Sequence, residues 1–453
     1  MDYSQVERRL DSFVNYEALP GFGFAEAGYD LDHVRELLRR LGRPHLRTTT
    51  VHVAGSKGKG SVSALIANAL SACGHRTGLY TSPHLLHLGE RIRVDGTFLT
   101  PYELGRMLDL AGPHIEAMRI ENRWRQFTYF EVITALAFLY FRSRAVAVQV
   151  IEVGLGGRLD ATNVVQPDVC VITPISLEHT AVLGDTIEKI AAEKAGIIKA
   201  GAAVVCGPQD PRAMRVIESA CAANGVRPVI VGKDVTFEVL QGSLDGQSIL
   251  VRDARGEREY LTRLTGTFQA ENTATAVAAI EVLGTRGVKL DFDCVAQGLA
   301  TTAWPGRFHI LSRDPLLILD GAHNPASMRR LAESLEAFGA THSLVFVLGF
   351  SSDKDVRGAV RELLHLGGSI ILTQSGQPRA LRTSAAVEMI NDLGVVLASE
   401  EDTLAALQHA RTKAGKKGTV CVGGSLYLVA EVLRWWQDKP AAQTNWATGR
   451  DIT

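Results

Sequence analysis

The chain has 453 residues, enough for about three domains of average size or for two large ones. Its 48 Lys and Arg residues nearly balance its 49 Asp and Glu residues, which excludes the broad positive field that non-specific nucleic-acid binding requires. The apolar stretches are too short or too interrupted to span a bilayer, and the first residues do not resemble a signal peptide, so we expect a cytoplasmic protein.

Six cysteines are spread along the chain, and none belongs to a CxxC pair. Several lie inside apolar runs, as Cys170 does between two valines. A free cysteine behaves as a small hydrophobic residue, and disulfides are rare in reducing compartments. We therefore predict that these cysteines are small buried thiols in a reducing compartment.

A phosphate-binding loop is predicted near the start of the chain. An apolar stretch at 51–54 leads into a loop of three glycines and two lysines, and residues 62–70 are typical of a helix. Between a strand and a helix, such a loop lets backbone N–H groups and the helix N-terminus approach phosphate oxygens, and Lys59 would reach the β- and γ-phosphates. The residues of this predicted loop are Gly55, Ser56, Lys57, Gly58, Lys59, Gly60 and Ser61.

The loop departs from a Walker A motif, in which Ser or Thr directly follows the lysine. Here Gly60 separates Lys59 from Ser61. The alternative interpretation is a flexible basic loop without a ligand. The strand before the loop and the helix after it favour phosphate binding.

Predicted strands and helices alternate along most of the chain, which indicates a doubly wound parallel sheet. The predicted helices are 30–41, 101–118, 128–142, 186–198, 268–283 and 291–303, and the predicted strands are 77–81, 145–153, 168–175 and 202–206. Short segments at 235–239, 248–251 and 260–262, separated by Gly and Asp turns, predict a small antiparallel sheet.

A second α/β alternation follows Pro305 and Gly306, which interrupt the pattern as a domain boundary would. Its predicted strands are 316–319, 343–348, 369–373, 395–398 and 419–422, and its predicted helices are 325–338, 356–366, 383–393, 403–414 and 426–436. Residues from about 438 are polar and are expected to fray. We predict domains at 1–303 and 304–453, with the functional site in a cleft between them.

A carboxylate ends one of the predicted buried strands. Glu152 stands at the end of the run 146–153, where a charge is costly unless it is paired or bound to a metal ion. Beside a phosphate loop this favours a Mg²⁺ ligand, and the alternative is a helix cap or an ion pair. His179 and Ser82 follow two other predicted strands and could join Glu152 at one metal. Lys194 lies among alanines in a predicted helix, where the residues alone favour a surface lysine.

The spacing of their motifs argues against two other classes of enzyme, dinucleotide-binding enzymes and Ser-His-Asp hydrolases. Gly154 and Gly156 suggest dinucleotide binding, but the third glycine of GxGxxG would stand at position 159, which is Leu159. Asp320 and His323 at a predicted strand end suggest a Ser-His-Asp hydrolase, but no GxSxG nucleophile elbow is present. We therefore expect this pair to contact nucleotide or substrate.

Taken together, these motifs resemble those of the folylpolyglutamate synthase/dihydrofolate synthase family, a branch of the Mur ligase superfamily, over about the whole chain. The stretches that carry the resemblance are 52–61, 81–85, 90–92, 127–131, 152–163, 178–180, 193–199, 268–272, 304–307, 320–325 and 353–355. The family joins the amine of glutamate to a pteroate or folate carboxylate that ATP has first converted into an acyl phosphate. The resemblance implies a P-loop, Mur-ligase-like ATPase domain followed by a smaller Rossmann-like α/β domain.

The resemblance also implies roles for individual residues. Ser82, Glu152 and His179 would hold one Mg²⁺, and Lys194 would be carbamylated and help to bind a second, which reverses its interpretation as a surface lysine. The implied catalytic set is Lys59, Glu152, His179 and Lys194. The implied contacts to ATP across the domain interface, besides the loop, are Gln269, Asn272, Arg307, Asp320 and His323, and the implied pterin-side pocket is Thr128, Phe130, Asp160 and Ala161.

Three residues depart from the family pattern. Lys57 stands where Asn is usual, Glu178 where Asp is usual, and His309 where Glu is common. None of these departures removes a proposed metal ligand. The added cation at position 57 is expected either to tighten ATP binding or to shift the loop.

The leading hypothesis is an ATP-dependent ligase that joins L-glutamate to dihydropteroate, to folates or to both, acting as a monomer without nucleic-acid or membrane partners. The alternative is a Mur-type ligase acting on another carboxylate, which the stretch 127–131 disfavours. A third possibility is an ATP-binding regulatory protein that has lost its chemistry. The presence of Ser82, Glu152, His179 and Lys194 disfavours that possibility.

Overall fold

The structure is a computed structural model that describes residues 2–15, 30–121 and 124–438. The chain divides into two compact units, the first comprising Met1–Glu238, Ile249–Leu261 and Glu271–Thr302, and the second Val239–Ser248, Thr262–Ala270 and Ala303–Thr453. Within the described residues, no helix is both long enough and apolar enough to cross a membrane. The predicted fraying concerns residues from 438 onward, which lie outside the described part except for Asp438.

The first unit is built around an eight-stranded sheet. Its strands are β1 (Thr49–Ala54), β2 (Thr77–Tyr80), β3 (Ile92–Val94), β4 (Thr97–Phe98), β5 (Val148–Glu152), β6 (Val169–Ile172), β7 (Ala203–Cys206) and β8 (Pro228–Ile230). Their order is β4-β3-β2-β5-β1-β6-β7-β8, and the six from β2 to β8 run parallel. Because β1 lies between β5 and β6, the loops that follow these three strands emerge at one edge of the sheet.

The first unit also contains most of the helices. They are α1 (Tyr3–Leu10), α2 (Asp32–Arg40), α3 (Lys59–Ala72), α4 (Pro101–Ile120), α5 (Tyr129–Ser143), α6 (Thr180–Leu183), α7 (Ile187–Ala195) and α8 (Pro211–Ala223). The helix α9 (Phe268–Thr285) belongs to this unit from Glu271 onward, and α10 (Phe292–Thr301) follows it. The helices bury apolar faces in separate clusters, one of which includes α2, α4 and α5 and another α7 and α8. Thr100 caps α4 by accepting a hydrogen bond from the Glu103 N–H, and Pro101 occupies the first position of the helix.

A three-stranded sheet lies between the larger sheets along the chain. It consists of β9 (Thr236–Ser243), β10 (Gly246–Asp253) and β11 (Gly256–Thr262), with β10 in the middle. The three predicted segments at 235–262 therefore do form strands of one small sheet. Its residues are divided between the two units.

The second unit contains a six-stranded sheet. Its strands are β12 (His309–Arg313), β13 (Leu316–Leu319), β14 (Val345–Leu348), β15 (Ser369–Leu372), β16 (Val396–Ser399) and β17 (Thr419–Gly423), and its helices are α11 (Pro325–Ala337), α12 (Val356–Arg361), α13 (Thr383–Ile390), α14 (Thr403–Ala414) and α15 (Leu426–Gln437). The order is β12-β13-β17-β14-β15-β16, and all neighbours are parallel except β12 and β13. The second α/β alternation is therefore confirmed.

The sheets are mainly parallel, as predicted, but β3, β4 and β12 pair antiparallel at one margin of their sheets. Such short marginal strands lack the continuous apolar run that marks a buried strand. One sequence expectation needs correction, because the cysteines are not all buried thiols: Cys73 and Cys294 form a disulfide. Pairing across 221 residues cannot be deduced from spacing, whereas the other four cysteines are free and buried as predicted.

Candidate active site

The phosphate loop depends on two glycines for its shape. Gly55 and Gly58 have φ values of 147° and 86°, in a region that side chains with a Cβ rarely adopt. A Cβ on Gly55 would collide with Thr173, and one on Gly58 would collide with the side-chain oxygen of Asn272. The loop is therefore packed between the end of β6 and α9, and Asn272, predicted from the resemblance to contact nucleotide, lies against it.

Backbone hydrogen bonds hold the first half of this loop. The N–H groups of Ser56 and Lys57 both donate to the carbonyl of Pro174, each at 3.0 Å. The helix α3 then begins at Lys59, and the Lys59 ammonium donates to the Gly55 carbonyl at 3.1 Å. Gly60 and Ser61 thus lie in the first turn of α3, where the free backbone N–H groups of a helix end can bind an anion.

Lys194 is buried beside the phosphate loop, with only 2% of its side chain exposed. Its ammonium donates to the Gly55 carbonyl at 2.8 Å and lies 3.2 Å from a carboxylate oxygen of Glu178. Burial lowers the pKa of Lys194 to about 8, and the Glu178 carboxylate opposes this shift. The interpretation of Lys194 as a surface lysine, which the residues alone favoured, is therefore wrong.

Glu178 links Lys194 to a second lysine. Its other carboxylate oxygen lies 3.4 Å from the ammonium of Lys57, so the carboxylate bridges both cations. Burial disfavours the ionised carboxylate, but the charges of Lys194, Lys57 and Lys59 outweigh this effect and lower the pKa of Glu178 below its usual range. The two departures from the family pattern at positions 57 and 178 are therefore partners in one ion pair.

The position of Lys194 follows from close packing between α7 and the loop after β5. A Cβ on Gly157 would meet the carbonyls of Glu193 and Lys194. The Arg158 N–H donates to the Glu193 carbonyl at 2.8 Å, which closes the same contact. The close packing of the glycine-rich loop after β5 against α7 therefore fixes the position of the helix that carries Lys194.

Glu152 and Ser82 meet at neighbouring strand ends. Glu152 is the last residue of β5, its side chain is buried, and it accepts a hydrogen bond from the Ser82 N–H at 3.2 Å. His179 precedes α6 and has a φ of 49°, so its backbone is left-handed at the start of that helix. Within the described residues, no cluster of three or more His, Cys, Asp and Glu side chains could hold a metal. The implied metal set contains only two such residues, and it would need the Ser82 hydroxyl or a modified Lys194 for completion.

The four residues of the implied pterin pocket fall into two pairs. Thr128 caps α5, exchanging hydrogen bonds with Glu131, and the Phe130 ring lies where a Cβ on Gly154 would stand. Asp160 and Ala161 lie in the loop after β5, and both are buried. The contact between Phe130 and Gly154 brings the start of α5 onto the loop that carries Asp160.

In the second unit, a turn around Gly321 gathers three of the residues implied in nucleotide binding. The Asp320 carboxylate accepts hydrogen bonds from the N–H groups of Phe308 and Ala322, at 2.6 and 2.7 Å. One ring nitrogen of His323 lies 2.8 Å from the Gly321 carbonyl, and a Cβ on Gly321 would collide with the Arg307 guanidinium. Gln269, at the start of α9, is fully buried.

Comparison with known proteins identifies the family. Residues 53–280 match the family model "Mur ligase middle domain", and residues 309–435 match "Dihydrofolate synthetase, C-terminal domain". The chain is 33% identical to the dihydrofolate synthase/folylpolyglutamate synthase of Bacillus subtilis, over 89% of this chain and 94% of that protein. It is 34% identical to the folylpolyglutamate synthase of Lacticaseibacillus casei, over 95% and 98%.

The chain belongs to the folylpolyglutamate synthase/dihydrofolate synthase family. The fold agrees, because the structure superimposes on Mycobacterium tuberculosis folylpolyglutamate synthase complexed with ADP and AMPPCP with a TM-score of 0.87, at 31% identity over 97% of this chain and 99% of that chain. It also resembles Escherichia coli FolC in complex with DHPP and ADP, with a TM-score of 0.83 at 29% identity, over 96% and 97%. The predicted family and two-part Mur-ligase fold are confirmed, and the family is one of ATP-dependent ligases.

Sequence reasoning missed several residues that shape this family member's site. Glu178 was noted only as a departure, although it bridges Lys57 and Lys194. His52 and Thr162 lie in stretches that carry the resemblance but received no role, although their side chains meet between β1 and the loop after β5. The available signal for His52 was its place in the apolar strand between Val51 and Val53, where a buried polar side chain needs a partner.

Proposed function

We propose that this family member joins L-glutamate to the carboxylate of dihydropteroate, of a folate or of both, by way of an acyl phosphate made with ATP. The observation that carries the proposal is the burial of two charged side chains near the phosphate loop: Glu152 at the end of β5, and Lys194 in α7, whose ammonium contacts the Gly55 carbonyl. The names of the relatives support the same reaction, and one solved relative holds both ADP and a compound abbreviated DHPP. We also propose that it works as a monomer in the cytoplasm, where ATP is plentiful.

The phosphate loop would bring two anions together. Phosphoryl transfer from ATP to a carboxylate depends mainly on positioning and on neutralising negative charge. Lys59 and the N-terminus of α3 supply positive potential at the loop, and Lys57 stands close by. These groups would stabilise the charge that spreads over the transferred phosphoryl group.

The side chains at the strand ends fit Mg²⁺, a hard cation that prefers oxygen ligands. Glu152 offers a buried carboxylate beside Ser82, and His179 follows β6, which is separated from β5 by β1. When bound, Mg²⁺ would neutralise phosphate charge and help to hold ATP for in-line attack. We propose Ser82, Glu152 and His179 for one ion and Lys194, as a carbamate, for a second.

The surroundings of Lys194 suit carbamylation. The reaction forms a bond between the neutral amine nitrogen and the carbon of CO₂, and the nitrogen loses a proton. Burial lowers the pKa of Lys194 to about 8, so a fraction of the amine is neutral near pH 8. The nearby cations Lys57 and Lys59 would then face the new negative charge.

The remaining predicted residues would bind the organic parts of the substrates. We propose that Thr128, Phe130, Asp160 and Ala161 form the pterin-side pocket, which the packing of Phe130 on Gly154 supports. The proposed nucleotide contacts beyond the loop are Gln269, Asn272, Arg307, Asp320 and His323. We retain the division at 303/304 as the proposed domain boundary.

The test is the release of ADP by purified protein with ATP, Mg²⁺ and L-glutamate, with dihydropteroate in one series and tetrahydrofolate in another. We expect ADP release to require glutamate and at least one of the two pterins, with the glutamylated product detected by mass spectrometry. Product from both would assign both activities. If neither pterin supports turnover while another carboxylate does, the proposal is wrong and a different Mur-type ligation replaces it.

A further inference from the structure

A buried hydrogen-bond chain connects the strand before the phosphate loop with the loop that carries Asp160. His52 lies on β1, two residues before its end, and is fully buried in the sheet between Ile151 of β5 and Cys170 of β6. Its Nε2 atom lies 2.9 Å from the hydroxyl oxygen of Thr162. Neither side chain has a role in the proposed reaction.

The hydrogen bonds of Asp160 decide which atoms are donors and which are acceptors between His52 and Asp160. The Asp160 carboxylate accepts hydrogen bonds from the backbone N–H groups of Leu155 at 2.9 Å and of Thr162 at 3.0 Å, and from the Thr162 hydroxyl. Burial raises the pKa of the Asp160 carboxyl, and the hydrogen bonds from Leu155 and Thr162 oppose this rise by stabilising the ionised form. In that form the carboxylate can only accept, so the single hydroxyl proton of Thr162 is given to Asp160. The Thr162 oxygen must therefore accept from His52, which makes His52 the neutral tautomer with its proton on Nε2.

The surroundings of His52 keep it in that state. Burial lowers the pKa of His52 to about 3, so the ring stays neutral across the physiological range. Its Nδ1 atom is buried and has no hydrogen-bond partner within the described residues. This agrees with the same tautomer, in which Nδ1 carries no proton that would need an acceptor. A histidine in this setting does not change its charge near neutral pH, so its contribution is geometric.

The same loop is held at its other end by α7 and the residues after it. The Lys199 ammonium donates to the carbonyls of Asn163, at 2.9 Å, and of Val165. The Asn163 amide donates to the carbonyl of Arg158 at 2.9 Å. These hydrogen bonds fix the loop at Asn163 and Val165. The contact with His52 then determines the position of the turn from Leu155 to Thr162 relative to β1.

We propose that His52 is a positioning residue that acts through Thr162 to hold Asp160 and its turn in the shape that accepts the pterin, so that β1 supports both the phosphate loop and the pterin pocket. The pterin part of this inference rests on the proposed function. Because Asp160 uses both carboxylate oxygens inside the turn, its main contribution is to fix the backbone around it. Loss of the hydrogen bond between His52 and Thr162 should weaken pterin binding more than nucleotide binding.

Two matched pairs of variants test this inference. Thr162→Val removes the hydroxyl with almost no change of shape, and Thr162→Ser retains it. His52→Leu removes the donor, and His52→Gln places an amide N–H near the position of Nε2. We expect Thr162→Val and His52→Leu to raise the dissociation constant for dihydropteroate about tenfold while that for ADP changes less than about twofold, with Thr162→Ser and His52→Gln near wild type.

Hydrogen exchange gives a second readout that needs no substrate. In Thr162→Val the amides of Leu155 and Thr162, which donate to Asp160, should exchange about tenfold faster, while amides of α3 keep their rates. Equal exchange in wild type and Thr162→Val, or an equal loss of pterin and ADP affinity, would overturn the inference. If wild-type protein binds ADP but no pterin, the proposed function and the pterin part fail together, and the exchange rates still decide whether His52 holds the turn.

Discussion

The surroundings of Lys194 determine its charge and its exposure. A lysine among alanines in a helix is usually exposed, yet here the ammonium lies against the Gly55 carbonyl and the Glu178 carboxylate. Burying a cation is costly unless a counter-charge accompanies it, and Glu178 supplies one. Such an arrangement stabilises the fold little, which favours a role in function for the pair.

We predict that Lys194→Arg retains the fold and loses activity. Arginine stays charged and cannot form a carbamate, so kcat should fall at least about 100-fold, as expected when a charge-stabilising group is lost. Carbon NMR of wild-type protein with isotope-labelled CO₂ should show a carbamate resonance that is absent from the variant.

The matched control is Lys189→Arg, on the exposed face of the same helix, which should keep the carbamate signal and the activity. An unchanged carbamate signal in Lys194→Arg would place the modification on another lysine. Full activity in that variant would remove Lys194 from the proposed catalytic set.

At the scale of secondary-structure elements, α3 is held at both ends. Its first turn forms part of the phosphate loop, and Cys73, which follows its last residue, is bonded to Cys294 in α10. Between these ends, α10 approaches closely because Gly298 has no Cβ to collide with the backbone of Ala69. The Asn68 amide donates to the Gly298 carbonyl at 2.6 Å. The disulfide therefore reinforces an existing helix contact.

We predict that this disulfide stabilises the protein without being needed for its fold. A bond that closes a loop of 221 residues restricts the unfolded chain, and its loss should lower the free energy of unfolding by about 2–5 kcal/mol. The double variant Cys73→Ser/Cys294→Ser should unfold at lower urea concentration than oxidised wild type. Reductant should lower the midpoint of wild type and leave that of the variant unchanged.

A thiol count decides whether the bond is present in the isolated protein. Denatured but unreduced wild type should titrate four thiols, the four that are free and buried in the structure. A count equal to all six cysteines would show that the pair is reduced. That result, together with an unchanged urea midpoint on adding reductant, would contradict the predicted stabilisation.

At the scale of the whole molecule, the sequence predicted the central strands well and the edges poorly. The buried strands β5 and β6 are largely apolar, and their positions were predicted to within about three residues. The helix α8 and the strands β8 and β12 were not predicted. Edge strands bury only part of their surface, so their sequences carry weak periodicity.

The candidate site was predictable only in part, for a similar reason. Polar residues at strand ends, such as Ser82 and Glu152, can be recognised in the sequence, because a charged or hydroxyl side chain there ends or follows an apolar run. Contacts between distant segments do not. Glu178 with Lys57, His52 with Thr162, and Cys73 with Cys294 each join residues more than 100 positions apart.

The stability of the whole molecule offers a test of the phosphate loop. A ligand that binds only the folded state raises the free energy of unfolding, by about 2.7 kcal/mol at 100 times its dissociation constant. We predict that ADP with Mg²⁺ raises the melting temperature of wild type by roughly 5–10 °C under those conditions. The variant Lys59→Met should lose most of this increase in melting temperature, because the substitution removes the Lys59 ammonium from the phosphate loop.

Without nucleotide, Lys59→Met should melt close to wild type, because the Lys59 ammonium makes one partly buried hydrogen bond to the Gly55 carbonyl and a neutral chain can fill the same space. Lys233→Met, at an exposed position, is the matched control and should keep the full ADP shift. Comparison of the shifts therefore separates lost binding from lost stability. A normal ADP shift in Lys59→Met would show that the phosphates bind away from this lysine.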